Sequence, residues 1–160
     1  MAVFSSDISA TYATYLDVIQ ATAEERIERV RRGLVPDLVA QLARDLRIPD
    51  HNLALYLGLN RATLRRKLAE DERLDVRESE GPMALTLLAG HVVVASRQPS
   101  VSKAVAVDPV EWLGRWLRTP MAELEGRAPI QYMDVAEGRA LVAGWLACAV
   151  AARTQEDANA

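Results

Sequence analysis

Apolar positions recur along the chain at helical spacing, in short runs broken by Pro, Gly and Asn. AEERIERVRR places Ile27 and Val30 on one side of a charged background, Thr22 and Glu25 have capping-box spacing, and Gly33 stands where the helix would end, which predicts a helix from Ala23 to Arg32. The preceding ISATYATYLDVIQA also suits a helix, behind a frayed beginning. In LVPDLVAQLARDLRI, Leu38, Leu42 and Leu46 form one stripe with Val39 and Ala43 beside them, on a helix that starts near Pro36 and is stopped by Pro49. Two short helices follow, Asp50 to Leu57 and Arg61 to about Glu70, separated at Gly58, with Asn60 as N-cap of the second.

Residues 76–97 (VRESEGPMALTLLAGHVVVASR) carry a mixed signal. HVVVAS is β-branched enough for a strand, but no partner strand is evident, so a helix beginning near Gly81 is expected. QPSVSKAVA reads as a connection between two halves. Beyond it the pattern predicts a helix from Pro109 to Leu117, a short one from Met121 to Leu124, a turn at EGRAP, a closing helix from Asp134 to Ala152, and a polar, flexible tail over 153–160. The sequence therefore predicts an all-α protein: an extension (1–22), a helical bundle (23–97) and a small helical domain (107–152).

Composition agrees with a globular helical chain. Half of the 160 residues are hydrophobic, 26% are charged, and Gly (8) and Pro (7) are sparse. One cysteine, Cys148 in LACAVAA, cannot form an internal disulfide and is expected to be a small buried hydrophobe. MAVFSSDISATY has no basic segment followed by an apolar one, and no apolar run approaches a membrane span of about 18 residues, so a cytoplasmic location is expected.

Catalytic chemistry finds no support. His51 and His91 have no partners at metal-ligand spacing, and there is no phosphate-cradling Gly-rich loop, nucleophile elbow or Cys/His pair. The expectation is a non-enzyme without metal or cofactor.

Charge is more informative in its distribution than in its sum. The net charge is -3, and Lys+Arg against Asp+Glu is 12 to 14 in residues 1–80 and 7 to 8 in 81–160. Within that acidic chain NRATLRRKL concentrates four cations without an acid. A charge run alone is most often a solvated helix face. Here Ala54, then Gly58 four residues on, then Leu64 six further, give the spacing of a helix-turn-helix, with Leu53, Leu57, Leu59 and Leu68 as further core. Asn60, Arg61, Ala62, Thr63, Arg65, Arg66 and Lys67 then become candidate DNA contacts, since the start of the second helix enters the major groove, where Arg pairs with guanine and Lys or Thr holds phosphate. Lys67 departs from the motif, which usually has an aliphatic there. The second cluster is aromatic: Trp112, Trp116 and Trp145 lie within 34 residues of a chain that has one Phe. They suit a core and an interface equally well.

WLRTPMAELEGRAPIQYMDVAEGRALVAGWL resembles the toxin-binding domain of the Xre/MbcA/ParS-like antitoxins through Trp116, Leu117, Thr119, Pro120, Leu124, Gly126, Arg127, Pro129, Gly138, Val142 and Leu146. RRGLVPDLVAQLARDLRI and LALYLGLNRATLRRKL are similar to that family's Xre-type segment, so the resemblance covers roughly residues 25–150. It implies an antitoxin of a type II toxin-antitoxin pair whose RES-domain toxin degrades NAD. Its C-terminal domain would obstruct the toxin's active site, and the helix-turn-helix of a homodimer would repress its operon by binding operator DNA. Trp116, Thr119, Pro120, Arg127 and Trp145 are the candidate toxin contacts. The competing expectations are a transcription regulator whose C-terminal half senses a ligand or dimerises, and a plain helical interaction module.

Overall fold

A computed structural model describes residues 12–97 and 108–159. Among these there are helices and no strands: α1 (Ala13–Gln20), α2 (Ala23–Arg32), α3 (Asp37–Leu46), α4 (Asp50–Tyr56), α5 (Arg61–Glu70), α6 (Val76–Ser96), α7 (Pro109–Arg118) and α8 (Ala136–Asn159), with 3-10 turns at Ala122–Leu124 and Pro129–Tyr132. The expected all-α class holds. The expected frayed beginning and the 98–106 connection lie outside the described residues.

Local chemistry sets most boundaries. The Thr22–Glu25 capping box forms in both directions, and α2 ends at Gly33. α6 begins at Val76 rather than Gly81, because Asp75 and Glu78 make a second capping box that the sequence did not suggest. The HVVVAS segment continues this helix, since Val92 and Val93 are needed in a helical core. α8 runs to Asn159, past the end expected at Ala152. Arg153 lies over the Trp112 ring at 5.0 Å, a cation–π contact that draws the polar end of α8 toward α7. Pro129, the last residue of the expected EGRAP turn, opens a 3-10 helix that runs to Tyr132, with Gln131 Oε1 accepting from Ala128 N at 2.8 Å.

The two halves share one hydrophobic core. Leu42, Leu46 and Leu53 of the N-terminal bundle, Leu85 and Val93 of α6, and Leu113, Leu117, Ile130, Met133, Val142 and Leu146 of the C-terminal segment belong to a single buried cluster. α6 is its axis and packs on α1, α2, α3, α7 and α8. At Gly114 a Cβ would lie 1.9 Å from the Leu46 carbonyl oxygen, so α7 approaches the end of α3 at a distance that only glycine allows. The segment between α2 and α3 is stitched to α6 and the strip before it. Leu74 N donates to Leu34 O at 2.9 Å, and Leu34 N donates to the buried Ser79 hydroxyl at 3.0 Å. Two tyrosine–carboxylate bonds brace α1: Tyr15 donates to Asp45 at 2.5 Å, and Tyr12 donates to Asp108, which also caps α7. Burial raises both phenols above their ordinary value, with the carboxylate partners adding to the shift. No single helix among the described residues is long and apolar enough to cross a membrane.

Candidate functional sites

α4, the turn at Gly58 and α5 have the geometry that the spacing predicted. Ala54 is 1% exposed, its carbonyl accepts from Leu59 N at 2.8 Å, and Gly58 takes φ +69°, the left-handed turn that favours glycine. Asn60 caps α5 by accepting from Thr63 N at 3.0 Å, so its side-chain oxygen is already engaged. Leu53, Leu57 and Leu59 are buried and Leu64 packs against the core. Leu68, expected inside, is 40% exposed.

The buried place belongs to Lys67, which is 6% exposed. Its Nζ donates to Glu78 at 2.7 Å and to the Arg73 carbonyl oxygen at 3.1 Å, with Glu72 in a longer ion pair at 3.6 Å. Lys67 therefore takes the inward place of the missing aliphatic, with its ammonium engaged inside the fold and not on the outer face where a DNA contact was expected. The Glu78 hydrogen bond holds its ammonium above the ordinary lysine value against the opposing effect of burial. Glu78 serves twice, because its carboxylate also accepts from Asp75 N in the cap of α6. The lysine thereby ties the second helix of the motif to the axis of the fold.

The three remaining cations divide into a pair, Arg61 and Arg65, and a single residue, Arg66. Arg61 and Arg65 are exposed, make no ion pair among the described residues, and border a cleft of about 280 Å³ with Asp50, His51 and Leu68. Arg66 is exposed but held by Glu70 at 2.6 Å and Glu72 at 2.5 Å. Its hydrogen bonds to those carboxylates raise the guanidinium above its usual value, and the bond to Arg66 holds the Glu72 carboxyl below the usual carboxylate range. Ala62 is exposed and Thr63 half-buried, both on the first turn of α5. Of the seven residues read as DNA contacts, Asn60, Arg61, Ala62 and Arg65 are exposed and in no ion pair among the described residues, and of these Asn60 has its side-chain oxygen engaged in the cap.

The C-terminal candidates form a second surface. Thr119, Pro120 and Arg127 are all exposed, around a compact loop closed by Met121 N to Arg127 O at 3.0 Å and Gly126 N to Met121 O at 2.9 Å. Thr119 spends its hydroxyl on the Arg115 carbonyl at 2.8 Å, which finishes α7, and Arg127 lies 4.0 Å from Glu125 in a wet pair. Trp116 and Trp145 are half-buried. Trp116 stacks on Trp112 with ring centroids 6.5 Å apart, while Trp145 meets Tyr132 edge-on at 5.3 Å. The aromatics are thus core on one side and surface on the other, which is why composition could not decide between the two.

α8 also carries exposed apolar residues that pattern reasoning did not select. Leu141 is 48% exposed and Val135, just before the helix, 56%. Cys148, expected to be buried, is exposed on the same helix. A groove of about 580 Å³ lies between α2, α6 and the start of α8, lined by Ile27, Val30, Val76, Met83 and Ala136, with Arg31 and Arg139 among its polar walls.

Comparison with known proteins gives both surfaces relatives. Residues 25–80 match the antitoxin Xre-like helix-turn-helix domain, and residues 104–146 match the antitoxin Xre/MbcA/ParS C-terminal toxin-binding domain. A protein described as a Prs ADP-ribosylating antitoxin, from Sphingobium sp. (strain YBL2), is 28% identical over 133 residues, which span 83% of this chain and 82% of that protein.

Proposed function

Since the chain belongs to the Xre/MbcA/ParS-like antitoxins, we propose that it neutralises a cognate RES-domain, NAD-consuming toxin by covering that enzyme's active site, and that as a homodimer it represses its own operon in the cytoplasm. The observation that carries the toxin arm is the exposed loop bearing Thr119, Pro120 and Arg127 within the matched toxin-binding region. Its shape is fixed by its two internal backbone hydrogen bonds, Met121 N to Arg127 O and Gly126 N to Met121 O. The loop runs from α7 to the second 3-10 turn and contains the first, and it is flanked in sequence by Leu117 and Ile130, each no more than 2% exposed. A rigid loop loses little conformational entropy on docking. Trp116 and Trp145, both half-buried, supply the aromatic area that interface anchors use.

The relative's name supports the chemistry assigned to the partner. ADP-ribosylation draws its ADP-ribose from NAD, so that name and an NAD-degrading toxin both invoke cleavage of the nicotinamide–ribose bond. The operator arm rests on Arg61 and Arg65, which offer free guanidinium groups at the start of the second helix of the motif, where bidentate contact with guanine is made. With so few free cations on α5, the dependence of log K on log salt is expected to be shallow, with a slope of about one for each phosphate contact.

Co-expression tests this directly. The product of the adjacent gene should arrest growth and deplete NAD when expressed alone, and both effects should vanish when this protein is made with it. A harmless neighbour, or one that stays toxic in its presence, refutes the proposal. One observation favours a second function, ligand-responsive regulation: the groove between α2, α6 and α8 has the volume of a small-molecule site and touches both halves. It would gain if a ligand altered operator binding and no toxin were encoded nearby.

A further inference from the structure

The ion-pair arrangement around α5 gives Arg66 a role different from that of its neighbours. Successive residues on a helix turn by about 100°, so with Leu64 and Lys67 inward, Ala62 and Ala69 lie near the middle of the outer face. Arg61 and Arg65 then flank one side of that face and Arg66 the other. A helix seated in a groove meets a sugar-phosphate backbone on both sides, and on its second side α5 offers Arg66 as its cation. That cation is already taken. Asp71 ends α5 with φ +53°, a left-handed residue after which Glu72 N returns to the Lys67 carbonyl at 2.9 Å. The reversal lays the Glu72 carboxylate over Arg66 at 2.5 Å, while Glu70 reaches it from one turn away at 2.6 Å.

We propose that Arg66 is a phosphate contact held in reserve, caged by Glu70 and Glu72, and that docking on operator DNA exchanges these carboxylates for a backbone phosphate. The inference rests on the operator-binding function proposed above. All three side chains are about half exposed, so the exchange needs only rotamer changes and no opening of the core. Lys67 stays where it is, because Glu78 holds it independently of Glu72. The cage lowers operator affinity, since forming the phosphate contact first requires breaking two ion pairs. It also protects a protein with a free arginine edge from binding arbitrary polyanions.

The test is a double-mutant cycle in operator binding, using the full chain and its own promoter DNA over a range of salt concentrations. Glu72→Gln should tighten binding about 3- to 10-fold and steepen the dependence of log K on log salt by about one contact. Glu70→Gln should act in the same direction and provides a second reading should the first variant fold poorly. Neutralisation of the toxin should be unchanged in both, which verifies the fold. In an Arg66→Ala background the gain from Glu72→Gln should disappear. An equal gain in both backgrounds would mean simple removal of negative charge, and no gain in the wild-type background would mean that Arg66 never reaches phosphate. Either result overturns the proposal. If the wild-type chain binds no operator at any salt concentration, the operator arm itself fails and the cage falls with it.

Discussion

Adding one methyl group at Gly114 should separate a shared core from two halves that merely touch. The new Cβ would lie 1.9 Å from the Leu46 carbonyl oxygen and 2.8 Å from its carbonyl carbon, both backbone atoms that no rotamer change can move. α7 would have to retreat by roughly 1 Å, which loosens Leu113 and Leu117 from Leu42 and Leu46, all four fully buried. Overpacking of this kind costs about 3 kcal/mol. Replacing glycine by alanine inside a helix returns about 1 kcal/mol. The net loss of about 2 kcal/mol corresponds to a Tm lower by about 4–8 °C for a chain of this size. Gly144 is the matched control: it lies within α8, and a Cβ there meets nothing within 4 Å, so Gly144→Ala should raise the Tm by about 2–4 °C. Thermal unfolding followed by circular dichroism reads both. A Gly114→Ala protein as stable as wild type would refute the close approach of α7 to α3. A separate low-temperature transition in that variant would refute the single core.

Three further outcomes follow from the same geometry. Arg61→Ala or Arg65→Ala should each weaken operator binding by about 1–3 kcal/mol, read by gel shift, and leave toxin binding intact. Arg127→Glu should impair neutralisation in co-expression while shifting the Tm by less than about 1 °C, since the residue is exposed and its Glu125 contact is a surface pair. This substitution is a cleaner probe than truncation after Leu117, which would strip Ile130, Met133, Val142 and Leu146 from the core. Stability should also fall as pH rises above 10. Burial and the hydrogen bond to Asp45 raise the folded-state pKa of Tyr15 above the ordinary phenol value of 10.0, so the unfolded chain loses that proton first. Tyr15→Phe should flatten the alkaline limb of a Tm-against-pH curve.

The helix-turn-helix was legible because its signals are local. The positions of Ala54, Gly58 and Asn60 are each dictated by backbone geometry within a few residues, and the boundary of α5 agrees with the sequence expectation at both ends. The resemblance of the C-terminal pattern likewise rests on contiguous residues. What escaped the sequence depends on distant partners. A lysine in a charged run gives no sign that Glu78, eleven positions on, will bury it. The start of α6 was missed because Gly81 and Pro82 suggested a break, whereas Asp75 and Glu78 cap the helix and Pro82 lies within it. Leu68 was placed inside by its spacing from Leu64 and Cys148 by its apolar run, yet both are exposed. The end of α8 extends beyond its apolar pattern, where Arg153 has Trp112 as a partner.

The central claim is that this protein silences an NAD-consuming partner by physically covering it, and NAD turnover measures that most directly. Purified toxin from the adjacent gene should lose its NAD-consuming activity on titration with this protein, reaching zero at a fixed ratio, and Arg127→Glu should shift that titration to higher concentration. Undiminished NAD turnover with the antitoxin in excess would contradict the account.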